Sequence, residues 1–149
     1  MKSKGKGKSV PGTVLVVDDD EDSRRLISHL LERKGYEVLI ADGGKSALSA
    51  LRRHDVDVVL LDVMMPEMDG FAVCRELKKA PGTATLPVIL LTARDDIETR
   101  ATGMNLGVSE FLAKPVNKTE LFQRIQTQIE ARQRERELDQ AQKRADRMS

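Results

Sequence analysis

The chain has 149 residues, of which 40% are hydrophobic and 3% aromatic, a composition that suits one domain with an aliphatic core. The net charge of +1 is uneven, because the first twelve residues hold four lysines and no acid. The remainder is therefore mildly acidic, which argues against nucleic-acid binding by that part. No apolar run reaches about 18 residues and the single cysteine, Cys74, excludes an intrachain disulfide, so we expect a cytoplasmic protein with no membrane partner.

Composition divides the chain into three segments. Residues 1–12 are rich in Lys, Gly and Ser and carry too little apolar surface to fold, so we expect a disordered basic tail. Residues 13–129 form the predicted domain. Residues 130–149 contain helix formers but few apolar residues, which predicts a charged helical extension. Its apolar positions 138, 141, 145 and 148 have coiled-coil spacing, and a short coiled coil and a solvated tail are equally compatible with it.

Within the predicted domain, five short apolar runs alternate with five segments in which apolar residues recur at helical spacing. The predicted strands cover 13–17, 36–41, 56–62, 87–91 and 110–113. The predicted helices cover 21–34, 45–53, 70–80 and 95–106, with a last one capped by Asn117 or Thr119. In the first helix the apolar residues are Leu26, Ile27, Leu30 and Leu31. This alternation predicts a parallel sheet with helices on both faces, joined by right-handed crossovers.

The third strand ends at Asp62, and Pro66 with the pair Asp69-Gly70 makes the following residues a turn. In open α/β sheets, ligands bind at the edge formed by the carboxyl ends of the strands. Asp62 could instead cap the next helix, but Asp69 lies directly before Gly70 and suits that role better. We therefore interpret Asp62 as a functional carboxylate.

Four polar features follow four different strands: the run Asp18-Asp19-Asp20, then Asp62, Thr92 and Lys114. Each has an ordinary explanation, such as a helix cap, a strand-end hydroxyl or a surface lysine. In a parallel sheet, however, all four lie at one edge, so these side chains can converge.

The residue types at this edge indicate a chemistry. Neighbouring carboxylates repel one another, and a hard divalent cation such as Mg²⁺ removes the conflict through oxygen ligands. Asp62 could then act as a nucleophile towards a phosphate donor and form an aspartyl-phosphate. Lys114 would supply a positive charge to one phosphate oxygen, and the Thr92 hydroxyl would donate to another.

Taken together, the motifs resemble the receiver domain of two-component response regulators, from Thr13 to about Ile129. The matching blocks, in the family's order, are Val16-Val17-Asp18-Asp19-Asp20, Leu61-Asp62-Val63-Met64-Met65-Pro66-Glu67-Met68-Asp69-Gly70, Leu91-Thr92-Ala93 and Phe111-Leu112-Ala113-Lys114-Pro115. The resemblance implies a five-stranded parallel sheet of order 2-1-3-4-5 with five helices on both faces, the last helix extended at its C-terminus.

The resemblance also implies the roles of the acidic residues. Asp62 matches the phosphoacceptor, which takes its phosphoryl group from a sensor histidine kinase or a phosphotransfer protein. Asp19 would bind Mg²⁺ directly, Asp18 would bind it through water, and the backbone carbonyl of Met64 would be a further ligand. Such a domain is a signalling module and not an enzyme, catalysing only its own phosphorylation and slow autodephosphorylation.

Thr92 and Phe111 match the family's switch pair, and Lys114 matches its phosphate-binding lysine, with Lys114-Pro115 typically a cis peptide. Phosphorylation is expected to alter the surface of the fourth helix, fifth strand and fifth helix, which would control a partner or output. Phe111 departs from the many relatives that have a tyrosine, because it lacks the hydroxyl. A homodimer through that surface or through the C-terminal helix is compatible with the sequence, which leaves the oligomeric state open.

Two alternatives remain. One is a scaffold module that dimerises through the long helix independently of phosphorylation. The other is a Mg²⁺-dependent phosphohydrolase that uses an aspartyl-phosphate. That class needs a second acid two residues after the nucleophile, and here Met64 stands at that position, so this alternative is disfavoured.

Overall fold

The structure is a computed structural model that describes residues 11–63, 70–93 and 96–148. Strands and helices alternate along the described residues. The strands are β1 (Thr13–Val17), β2 (Glu37–Ala41), β3 (Val58–Asp62), β4 (Val88–Ala93) and β5 (Glu110–Lys114). The helices are α1 (Glu21–Arg33), α2 (Gly44–Arg53), α3 (Gly70–Lys79), α4 (Ile97–Asn105) and α5 (Lys118–Met148).

The strands form one sheet with the order β2-β1-β3-β4-β5, and every neighbouring pair is parallel. Val17 at the end of β1 is in register with Leu61 of β3, and Asp62 is in register with Leu91 of β4. The carboxyl ends of all five strands therefore meet at one edge. This topology confirms the predicted fold class.

Aliphatic side chains fill the space between the sheet and the helices on both faces. On one face the core contains Leu15, Val17, Val59, Leu61 and Leu90 with Ala47, Val73 and Leu77 from α2 and α3. On the other face it contains Val14, Val16, Leu60, Leu91 and Leu112 with Ile27, Leu31, Leu121, Ile125 and Ile129 from α1 and α5. Every residue of β3 is buried, which explains why its sequence shows no polar alternation.

Two of the differences from the sequence expectations concern the site and the core. β4 continues to Ala93, so Thr92 lies inside the strand, paired with Ala113, and does not follow it. Leu26 is 61% exposed although Ile27 and Leu31 are buried. Viewed down the helix axis, at about 100° per residue, the four apolar residues of α1 span an arc of roughly 140° with Leu26 at one end and Leu31 at the other. The sheet covers only the side of this arc with Ile27 and Leu31.

The last helix begins after Asn117, whose side chain accepts a hydrogen bond of 2.9 Å from the backbone N–H of Glu120. At about 1.5 Å per residue the helix is about 46 Å long. Its first part is buried through Leu121, Ile125 and Ile129, whereas every residue from 133 to 148 is exposed. The helical extension thus leaves the domain surface, and whether it forms a coiled coil stays a prediction.

The basic tail falls mostly on residues 1–10, which lie outside the described residues. Gly12, which we assigned to this tail, is buried, and its carbonyl accepts a hydrogen bond of 3.0 Å from the N–H of Glu37. No helix in the described part of the chain is long and apolar enough to cross a bilayer.

Candidate functional site

Two acidic residues lie buried at the carboxyl edge of the sheet. Asp18 follows β1, is fully buried, and its N–H donates to the carbonyl of Ala41 at 3.1 Å. Asp62 is the last residue of β3 and is 6% exposed. Asp20, by contrast, caps α1, because its side chain accepts a hydrogen bond of 2.9 Å from the N–H of Ser23. The acidic run therefore divides into a helix cap and a pair available to the site.

The carboxylates of Asp18, Asp19 and Asp62 converge, with one oxygen from each lying within 4.8 Å of the others. Asp18 Oδ1 accepts a hydrogen bond of 3.0 Å from the N–H of Asp20. Asp18 Oδ2 is buried and has no hydrogen-bond partner among the described residues. A buried carboxylate oxygen without a donor is costly, and a hard cation with oxygen ligands would satisfy it. Since Asp19 is exposed, the cluster could hold a metal ion that enters from solvent.

Lys114, the last residue of β5, brings a positive charge into this acidic cluster. Its Nζ lies 2.8 Å from Asp62 Oδ2 and 3.8 Å from Asp18 Oδ2. Burial by itself would lower the pKa of Lys114, but the hydrogen bond that its ammonium donates to Asp62 and the charges of Asp62, Asp18 and Asp19 raise that pKa above its ordinary value. One cation thus faces three carboxylates, and the cluster keeps a negative charge that a divalent ion would balance.

Thr92 and Phe111 lie on the neighbouring strands β4 and β5. Thr92 is 5% exposed, and within the described part of the chain its hydroxyl donates a long 3.4 Å hydrogen bond to the carbonyl of Ala93. Such a bond is weak, so the hydroxyl can be redirected at little cost. Phe111 is half-buried in register with Leu90, and its ring packs towards Gly103 of α4.

The structure therefore brings Asp18, Asp19, Asp62 and Lys114 together and places Thr92 beside them in the sheet. The peptide bond between Lys114 and Pro115 is cis. Met64, whose carbonyl the resemblance assigns to the metal, lies outside the described residues.

Two contributors to this site were missed by the sequence analysis. Arg24 of α1 donates a hydrogen bond of 2.7 Å from Nη1 to the carbonyl of Asp18 and so fixes the acidic turn. The separation of six residues between Arg24 and Asp18 in the sequence does not indicate this contact. Gly70 begins α3 against the backbone of Asp62, where a Cβ atom would lie 2.9 Å from the Asp62 carbonyl oxygen. The sequence signal was the pair Asp69-Gly70, which we interpreted as a turn and as the cap and start of a helix, and Asp69 lies outside the described residues.

Comparison with known proteins gives the same family. The family described as the response regulator receiver domain matches residues 14–126. The response regulator PleD of Caulobacter vibrioides is 46% identical over 114 residues, which cover 76% of this chain and 25% of PleD. The probable transcriptional regulator ycf27 of Porphyridium aerugineum is 40% identical over 114 residues, which cover 76% of this chain and 46% of that protein.

Among solved structures, a putative response regulator from Chloroflexus aurantiacus J-10-fl is similar with a TM-score of 0.77 and 35% identity, over 80% of this chain and 98% of that one. The chain spans only a quarter of PleD and less than half of ycf27, so the similarity concerns only part of each of these proteins. The fold, the acidic edge and these matches agree, and the chain belongs to the response regulator receiver domains, the signalling modules of two-component systems.

Proposed function

We propose that this domain accepts a phosphoryl group on Asp62 from a sensor histidine kinase or a phosphotransfer protein. The observation that carries the proposal is the placement of the Asp62 carboxylate, 2.8 Å from the Lys114 ammonium and beside two further carboxylates. A carboxylate nucleophile that attacks a phosphoryl group needs nearby positive charge, because negative charge accumulates on the phosphoryl oxygens.

We further infer that the acidic cluster holds Mg²⁺. Asp19 and Asp62 would bind the ion directly, Asp18 through water, and the backbone carbonyl of Met64 would complete the protein ligands. The buried Oδ2 of Asp18, which accepts no hydrogen bond from the described residues, supports this assignment. When bound, Mg²⁺ would neutralise charge on the phosphoryl oxygens.

The protein residues then divide the reaction between them. An Asp62 carboxylate oxygen forms a bond to phosphorus while the bond from phosphorus to the donor's imidazole nitrogen breaks, and that nitrogen keeps the electron pair. The ammonium of Lys114, which now bonds the Asp62 carboxylate, transfers its hydrogen bond to a phosphoryl oxygen. The hydroxyl of Thr92 exchanges its weak bond to the Ala93 carbonyl for a bond to another phosphoryl oxygen.

The movement of Thr92 would change the packing around Phe111 and so alter the surface formed by α4, β5 and α5. A bound phosphoryl group adds nearly two negative charges and thereby favours one of two packings. Ile97 and Met104 of α4 are 78% and 68% exposed, which supports a partner or a second copy at this surface. Leu138 and Met148 are also exposed and keep dimerisation through the C-terminal helix as the alternative.

The proposal is tested by incubating the purified chain with Mg²⁺ and acetyl phosphate and recording its intact mass and its mass in solution. We expect one phosphoryl group per chain. A chain that gains no phosphoryl group and is already a dimer would overturn the proposal and favour the phosphorylation-independent scaffold.

Replacing Thr92 by alanine should uncouple phosphorylation from the surface change. The variant keeps Asp62 and Lys114 and should gain a phosphoryl group, but the missing hydroxyl removes a hydrogen bond to a charged acceptor. The equilibrium towards the switched packing should fall about tenfold or more. NMR chemical-shift changes on α4 and β5 after phosphorylation measure this effect, and Thr92→Ser, which keeps a hydroxyl, is the control. Shift changes in Thr92→Ala equal to those of the wild type would contradict the assigned role.

Replacing Asp19 by asparagine should weaken Mg²⁺ binding by at least about tenfold, since even residues that only support metal ligands have effects of that size. Calorimetric titration with MgCl₂ measures the affinity. Asp22→Asn is the matched control, because Asp22 is an exposed acid in the first turn of α1 outside the cluster. Equal affinities for the two variants would rule Asp19 out as a ligand.

A further inference from the structure

The half-buried Arg100 of α4 lies over the ring of Phe111, with its guanidinium carbon 5.6 Å from the ring centroid. Arg100 Nε is buried and has no hydrogen-bond partner among the described residues. A buried donor without an acceptor is costly. The aromatic face offsets part of this cost, because the π-electrons of a ring attract a cation placed above it.

Gly103, one turn further along α4, makes room for the same ring. A Cβ atom at Gly103 would lie 3.0 Å from Phe111 Cε1 and 2.8 Å from Leu90 Cδ1. Glycine destabilises a helix interior relative to alanine, so its presence there requires a reason. The close approach of the Phe111 ring and of Leu90 supplies it.

Arg100 and Gly103 thus form the two parts of a seat for the Phe111 ring, with a cation over the ring face and open space at the ring edge. We propose that these two residues are positioning residues that hold Phe111 in the unphosphorylated domain and thereby set how readily the switch operates. This inference rests on the proposed phosphorylation of Asp62. The ring position belongs to the arrangement in which Lys114 is bonded to Asp62, 2.8 Å away.

The chemistry of Phe111 makes such a seat necessary. Phenylalanine has no hydroxyl, so its ring can be held only through its faces and its shape. A contact that exists in one packing and is lost in the other biases the equilibrium by the free energy of that contact. Removing the cation should therefore favour the competing packing, and by linkage it should also favour phosphorylation.

The test compares Arg100→Gln with Arg100→Lys. Glutamine removes the charge, whereas lysine keeps a cation beside the ring. Lysine also keeps a positive charge near Asp96, whose pKa is lowered mainly by its hydrogen bonds with Thr99 and least by the charge of Arg100. In the unphosphorylated chain, NMR contacts between the Phe111 ring and the Gly103 α-protons should weaken in Arg100→Gln. At a limiting concentration of acetyl phosphate, the phosphorylated fraction relative to the unphosphorylated one should rise about threefold, a factor within the range of a cation–π contact. Arg100→Lys should stay close to the wild type.

Two further variants separate positioning from general stability. Gly103→Ala should displace the ring, because its new methyl group would lie only 3.0 Å from Phe111 Cε1, closer than ordinary van der Waals contact. Arg75→Gln is the matched control, since Arg75 is an exposed arginine of α3 outside the seat, and it should change neither readout. Urea midpoints within experimental error for Arg100→Gln and Arg75→Gln would show that the shift does not arise from unfolding.

The outcomes distinguish this inference from the proposed function. If the wild type is phosphorylated while Arg100→Gln keeps wild-type ring contacts and a wild-type phosphorylated fraction, the seat is overturned and the proposed function stands. If the wild type never gains a phosphoryl group, the proposed function fails, and the coupling to phosphorylation fails with it. The ring contacts of the unphosphorylated variants then test the positioning of Phe111 alone.

Discussion

We expect Asp62→Ala to gain no phosphoryl group under conditions in which the wild type is fully modified by acetyl phosphate and Mg²⁺. The substitution removes the oxygen that we propose as the nucleophile, and no other carboxylate of the cluster has the same contact with Lys114. Asp18 Oδ2 lies 3.8 Å from Lys114 Nζ, compared with 2.8 Å for Asp62 Oδ2. Intact mass spectrometry after a fixed incubation measures the result as an all-or-none difference.

The control for this experiment is Asp42→Ala. Asp42 is an exposed acid that follows β2 at the same edge of the sheet, but its carboxylate accepts a hydrogen bond from the Ser46 hydroxyl at 3.0 Å. This variant should be phosphorylated like the wild type. A phosphoryl group on Asp62→Ala, located by fragmentation on Asp18 or Asp19, would show that the acceptor was wrongly assigned.

Loss of folding is not expected to explain the result for Asp62→Ala. The substitution removes one of three mutually repelling carboxylates and leaves Lys114 beside Asp18. Circular dichroism and a urea titration of the variant check this point. An unfolded Asp62→Ala would make the mass experiment uninformative, and Asp62→Asn, which keeps the size of the side chain, would replace it.

The sequence predicts those parts of the fold that depend on local chemistry. Continuous apolar runs such as β3 identify buried parallel strands, and the residues that follow them identify the edge at which Asp18, Asp62 and Lys114 meet. Helix starts are also local, as the capping by Asn117 shows. These features need no knowledge of what packs against them.

The parts that could not be predicted depend on contacts between distant elements. Exposure of Leu26 is decided by how far the sheet reaches under α1, and the extension of β4 to Ala93 is decided by pairing with β5. The contact of Arg100 with Phe111 joins a helix and a strand whose side-chain directions the sequence does not give. The sequence thus indicates the candidate reacting groups, and the structure adds the contacts between distant elements that surround them.

Gly70→Ala should lower the free energy of unfolding by about 2–3 kcal/mol, a cost typical of overpacking a closely packed site. Gly70 is buried at the start of α3, and its N–H donates to the Val63 carbonyl at 2.9 Å. A Cβ atom there would lie 2.9 Å from both the Asp62 carbonyl oxygen and Val63 Cα. These are backbone atoms at the end of β3, so they cannot yield as the tip of a flexible side chain would. The urea midpoint measures the change.

Gly82→Ala is the matched control, because among the described residues no atom beyond its two chain neighbours lies within 4 Å of a Cβ placed at Gly82, and its midpoint should stay close to that of the wild type. Equal midpoints for the two variants would mean that the backbone of β3 adapts to the added methyl group. If Gly70→Ala is destabilised as expected, the strain falls on the peptide that carries Asp62, and the surviving folded fraction should also be phosphorylated more slowly. The glycine after the acidic loop would then be required for the position of the nucleophile and not only for the turn.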